Sequence, residues 1–312
     1  MMMIPGIIMK KCKLAGDGFG KGLSNLVLYI AQPSLVFLAY IRPYDAKVLI
    51  NSIYVLVLSV VVHLIFVGVA SLFFKRSPDA ERRMLRFATI FSNAAFMGIP
   101  VITAVLGAEA TIYASIYNIT YNVFLWSVGV HICTADKDAD GDGVDDREEI
   151  VKKEGVISFK KVLFHPVTIA AALGLIFFIT PLDAYMPKFA DESFTMLKNL
   201  VAPLSMVVIG LRLAEIDIKG FFNKIDLYVF LVLRHIALPF VILGVIKLVE
   251  LFGIVLIDDV SASIIIMAAA PAAASLTMFA EMYDCDAVYG SKLVVVSTVL
   301  SLLTMPIVCL FV

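Results

Sequence analysis

Apolar runs of bilayer-crossing length alternate with short polar segments along almost the whole chain. They cover residues 23–41, 48–74, 88–106, 111–132, 165–180, 194–213, 227–248, 260–282 and 293–312. At a rise of about 1.5 Å per residue, each is close to or above the length an α-helix needs to cross a hydrocarbon core about 30 Å thick. A tenth run, residues 1–9, is stopped by Lys10, Lys11 and Lys13 and would reach only about 14 Å. Its positive residues follow the apolar stretch instead of preceding it. It therefore reads as an incomplete first span, clipped at its start, and not as a signal peptide.

Two runs are interrupted near their middles. In the run 88–106, the fourth span once residues 1–9 are counted as the first, Phe91-Ser-Asn-Ala-Ala-Phe-Met-Gly-Ile-Pro100 ends on Gly98 and Pro100, a pair that removes a backbone donor and relaxes the local dihedrals, so a helix break is expected there. Taken alone, a bent membrane helix would account for it. A second copy changes the odds: Pro271 lies 171 residues further on, again about a dozen residues into an apolar run. The spacing recurs where Ala31-Gln-Pro33 is answered by Ala202-Pro203 and Val62-His63 by Arg234-His235. The chain reads as a duplication of about 170 residues, and interrupted spans in matching positions of two halves point to a transporter's binding site.

Nineteen of the 25 Lys and Arg residues fall in alternate loops, including six in the central loop, and five in the others. The positive-inside rule then places the central loop, residues 133–164, in the cytoplasm and the free end of the short first span outside. Five spans per half invert the second half relative to the first. The expected fold is an all-α polytopic membrane protein of ten spans in the plasma membrane (cell inner membrane). Its parts are a first repeat at 1–132, the loop, and an inverted repeat at 165–312, with broken fourth and ninth helices crossing. The half-helices after Pro100 and Pro271 would both present free N–H groups to the midplane, an arrangement that attracts an anion.

Composition agrees with a membrane protein: 61% of residues are hydrophobic, 16% are charged and the mean hydropathy is +0.96. A net charge of −1 excludes the basic field that nucleic-acid binding needs. Cys12, Cys133, Cys285 and Cys309 have neither paired nor metal-ligand spacing and read as free thiols.

Asn93-Ala-Ala-Phe-Met-Gly98-Ile99-Pro100 resembles the fourth-span signature of the auxin efflux carrier family. Ala270-Pro271 with Phe279-Ala280-Glu281-Met282-Tyr283 is similar to its ninth span, and Pro203-Leu-Ser with Gly210 to its seventh. The resemblance implies ten spans, a cytoplasmic central loop, crossing broken helices, and export or uptake of a small organic anion. Asn93 and the backbone at Gly98, Pro100 and Pro271 would then contact substrate. A homodimer is compatible with this reading, and the bilayer is the remaining partner.

Further residues carry candidate chemistry. Asn118 and Asn122 share one face of the fifth span and serve either as interhelical glue or as ligand contacts. Ser275, one turn past Pro271, faces the site or bonds its own backbone. Arg234, seven residues into the eighth span, either balances an anion's charge or, as the favoured expectation, snorkels to the cytoplasmic interface, and His63 is expected to be packed and hydrogen-bonded. Asp138, Asp140, Asp142, Asp146 and Glu149 follow a calcium-loop spacing with Gly143 at its sixth position, or form a solvated acidic linker. No cofactor is required. With no carboxylate deep in the spans, Na⁺ or H⁺ coupling stays open, including Na⁺ held by hydroxyls and carbonyls as in the related bile-acid symporter fold. A calcium-responsive channel or sensor is the rival reading. An enzyme is not expected, since no catalytic carboxylate pair, Ser/His arrangement or metal cluster converges at depth.

Overall fold

The computed structural model describes residues 3–16, 18–134, 163–180, 182, 185–215, 221–253, 256–283 and 285–312. The whole Asp-rich segment, Asp138 to Glu149, lies outside the described residues. Those described are helical, joined by short turns, with one isolated two-residue bridge and no strand. Among the described residues five helices are long and apolar enough to cross a membrane: α2 (Phe19–Ala39), α3 (Ala46–Leu72), the segment Lys188–Arg212, α10 (Ile225–Leu251) and α13 (Ala287–Cys309).

The remaining elements are shorter. They are α1 (Ile4–Lys11), α4 (Asp79–Ile90), α5 (Ala94–Val105), α6 (Thr111–Phe124, continued through Val130–Thr134) and α7 (Pro166–Ile179). The segment Lys188–Arg212 comprises α8 (Lys188–Lys198) and the start of α9 (Val201–Glu215), joined by one turn. Next come α11 (Asp258–Ala269) and α12 (Ser275–Met282). Acidic residues open α4 (Asp79, Glu81) and α11 (Asp258, Asp259), where they complement the positive helix end.

Proline breaks these helices less often than expected. Among the described residues there are four π-helical stretches, and three of them, Val27–Ala31, Ala94–Gly98 and Leu233–Ala237, end two residues before a proline: Pro33, Pro100 and Pro239. A proline inside a helix lacks the N–H for the i−4 carbonyl and its ring crowds that oxygen; widening the preceding turn relieves both without ending the helix. Pro100 is buried inside a continuous α5. The interruption of the fourth span therefore lies at Phe91–Asn93 and not, as predicted, at Gly98 and Pro100. Pro271 does lie in an interruption, the extended segment between α11 and α12.

Two bundles result. In one, α1 packs on α9, while α7, α8 and α9 pack on α2; in the other, α3 to α6 pack with α10 to α13. The two meet mainly where α9 touches the start of α5 and where α2 and α7 touch α6. Lipid is as apolar as a leucine side chain, so helices in a bilayer associate through close backbone approach and hydrogen bonds. The α1/α9 contact has that character: a Cβ on Gly6 would stand 2.2 Å from the Val207 carbonyl oxygen, and one on Gly210 would stand 2.1 Å from that of Met3.

Candidate functional site

The two interruptions pair with each other. The Asn93 amide donates to the Pro271 carbonyl at 2.7 Å, and the Ala273 amide donates to the Phe91 carbonyl at 2.9 Å, around an antiparallel bridge of Ser92 and Ala272. Buried extended backbone must find partners, since each unsatisfied group in hydrocarbon costs several kcal/mol. The Ala272 amide donates to Ser297 Oγ at 2.9 Å, and Ser297 Oγ lies 2.9 Å from His235 Nε2. Gln32 Nε2, on α2, donates to the Ala95 carbonyl at 3.1 Å.

Arg234 satisfies the carbonyls at the ends of the first half-helices. Its Nη1 donates to the Thr89 oxygen at 3.1 Å, its Nε to Ala270 at 3.0 Å, and its Nη2 to Ala268 at 3.0 Å and Ala270 at 2.6 Å. The guanidinium is fully buried and lies 5.3 Å from the Phe66 ring centroid. The expected snorkelling is overturned. The helix interruptions leave carbonyls that accept from the guanidinium, and the π-helical turn Leu233–Ala237 carries both Arg234 and His235 inward. His63 is packed as expected, its Nδ1 donating to the Ser59 carbonyl at 2.7 Å and its ring 5.0 Å from that of Phe124.

The opposite ends of the crossing face a cavity of about 470 Å³ between the bundles. Its lining includes Ser92, Asn93 and the first turn of α5, where the Ala94, Ala95 and Phe96 amides have no acceptor within their own helix, together with Ala273, Ala274 and Ser275 at the start of α12. Thus negative helix ends converge on Arg234 behind the crossing, and positive helix ends open onto the cavity in front.

Four of the predicted site residues line this cavity: Asn93, Asn118, Asn122 and Ser275. Asn93 is buried, and its carboxamide does not cap the helix that it precedes. Asn122 Nδ2 donates to the Asn118 carbonyl at 2.8 Å, so one of its donors serves its own helix. Ser275 Oγ lies 3.2 Å from Tyr121 Oη, a contact between helices. Gly98, Pro100 and Pro271 do not line the cavity.

Sequence reasoning missed Gln32, Trp126, Lys21 and Arg212, which also line it. A lone amide inside an apolar span marked Gln32; Lys21 and Arg212 read as ordinary loop-side charges. The described lining carries amides, hydroxyls and cations but no carboxylate. Chemically, this is a donor-rich floor under partly apolar walls of Leu28, Leu125 and Trp126.

Residues 1–309 match the family described as membrane transport protein. An uncharacterised transporter of Methanothermobacter thermautotrophicus is 23% identical over 309 residues, covering 98% of this chain and 94% of the relative. Another, from Methanocaldococcus jannaschii, is 24% identical over 315 residues, covering 97% and 93%. With its apolar helices and a family match over nearly its full length, this multi-pass membrane protein belongs to the membrane transport protein family, the group of the auxin efflux carriers that its fourth span resembles.

Proposed function

We propose that the chain is a secondary carrier that moves a small organic anion across the plasma membrane by alternating access. The substrate's negative group binds at the cavity floor, on the amides of Ala94 to Phe96 with Asn93, and the rest of it lies against Leu28, Leu125 and Trp126. The observation that carries this reading is the reciprocal backbone pair between Asn93 and Pro271 and between Ala273 and Phe91, which turns two helix N-termini onto one cavity. In this reading residues 1–132 and 165–312 are inverted five-span repeats, α4 with α5 forms the fourth span and α11 with α12 the ninth, and the central loop is cytoplasmic. The bundle of α3 to α6 and α10 to α13 carries the site past the other bundle, which needs only the sparse contacts between them to break.

Counterflow in proteoliposomes preloaded with members of a panel of mono- and dicarboxylates, indole acids and bile acids tests this. Saturable accumulation of one labelled anion against its unlabelled form is expected. Flux that rises linearly with concentration for every anion, without exchange, would replace the carrier by a channel.

A further inference from the structure

We propose that Arg234 is a resident counter-cation at the crossing, occupying the place where a coupling alkali ion would otherwise bind, so that this chain transports without Na⁺ or K⁺. The inference rests on the carrier reading above and adds the identity of the cation to it. Unwound carbonyls and half-helix C-terminal ends are the groups that hold Na⁺ in carriers with interrupted helices. Here those groups are the carbonyls of Thr89, Ala268 and Ala270, from the ends of both α4 and α11, and one guanidinium bonds all three.

Charge balance explains why the site needs a cation. Two helix C-termini bring roughly half a negative charge each, and the described structure places no carboxylate against Arg234 to account for its burial. A single fixed positive charge matches the two ends together. A second cation in the same carbonyl cluster would meet the guanidinium at close range in a low-dielectric surround, where like charges repel strongly. The cluster is therefore already saturated.

Removing the guanidinium should uncover the alkali-ion site. The purified full-length protein is melted in detergent in NaCl, KCl or choline chloride at equal ionic strength, as the native chain, Arg234→Met and Arg234→Lys. The native melting temperature is expected to be the same in all three salts. Arg234→Met should melt lower in choline chloride and recover part of the loss as NaCl or KCl rises, whereas Arg234→Lys, which keeps the charge, should lie between and ignore the salt. In parallel, counterflow by the native protein with whichever labelled carboxylate it exchanges should run at equal rates in NaCl and choline chloride.

Native stability or counterflow that rises specifically with Na⁺ or K⁺ overturns the inference. So does a folded Arg234→Met that ignores both ions, or failure of both variants to fold, which would make the guanidinium's shape and not its charge the requirement. Failure of counterflow with every anion, beside the expected melting pattern, would remove the carrier reading and leave the cation assignment standing.

Discussion

The Met267 sulfur of α11 lies 2.6 Å from the point a Cβ on Gly98 would occupy, so the two interrupted spans touch where one of them has no side chain. Gly98 thus serves the crossing by its smallness; its helical dihedrals need no glycine. Gly98→Val should overpack this buried contact and destabilise the protein by about 1–3 kcal/mol. Shortening the partner, as Gly98→Ala with Met267→Ala, should couple favourably, with the double variant more stable than the sum of the singles predicts. Melting of the four proteins of this cycle measures it; strict additivity would mean that the contact carries no strain.

The carboxamide of Asn93 is expected to bind substrate. Asn93→Ala removes a donor from the cavity floor and should raise the half-saturating anion concentration about 5- to 150-fold, corresponding to about 1–3 kcal/mol. Asn93→Asp should be worse, because it places a carboxylate where the anion would lie. Uptake is normalised to monodisperse protein. Equal uptake by native and Asn93→Asp proteins would move the anion away from α5.

The two prolines should behave differently although they occupy matching positions in the sequence. Pro271→Ala introduces an amide into a buried extended segment whose neighbours are already bonded, leaving a donor without a partner at a cost of about 1–3 kcal/mol. Pro100→Ala restores an ordinary helical hydrogen bond within α5 and should leave transport near the native rate. Finding the larger transport loss in Pro100→Ala would locate the working interruption at Gly98 and Pro100 after all.

Orientation can be read from Cys12, the exposed one of the four native thiols. Cys12 follows the lysines of α1 and is exposed, whereas Cys133 is buried. An impermeant maleimide should label Cys12 only after cells are opened, with Cys133 silent in both conditions. Labelling of Cys12 in intact cells would reverse the topology drawn from the lysine and arginine distribution.

The alternation of apolar runs made the helical membrane fold legible, and the repeated proline spacing pointed to Pro271 and its surroundings. Polar residues inside apolar runs singled out Asn118, Asn122 and Ser275, and the family resemblance singled out Asn93; all four line one cavity. The position of the first interruption was not legible, because nothing local unwinds Phe91–Asn93. Those residues are held extended by amide and carbonyl partners at Pro271 and Ala273, far away in the chain. Arg234 was misplaced for the same reason: helical rise gives a depth in the membrane, but the carbonyls that hold the guanidinium exist only after two other helices have been cut.

The amides of Ala94, Ala95 and Phe96 belong to the main chain, and every residue except proline supplies one. No single codon change other than one to proline can delete such a donor, and no pH within the physiological range can neutralise it. On the carrier reading proposed above, preference for negative charge would be carried by the path of the backbone and inherited with the fold, while side chains such as Leu28, Leu125 and Trp126 would be free to vary. A carrier built this way would change the size and shape of what it accepts by ordinary point mutation, without first having to reinvent the means of holding an anion.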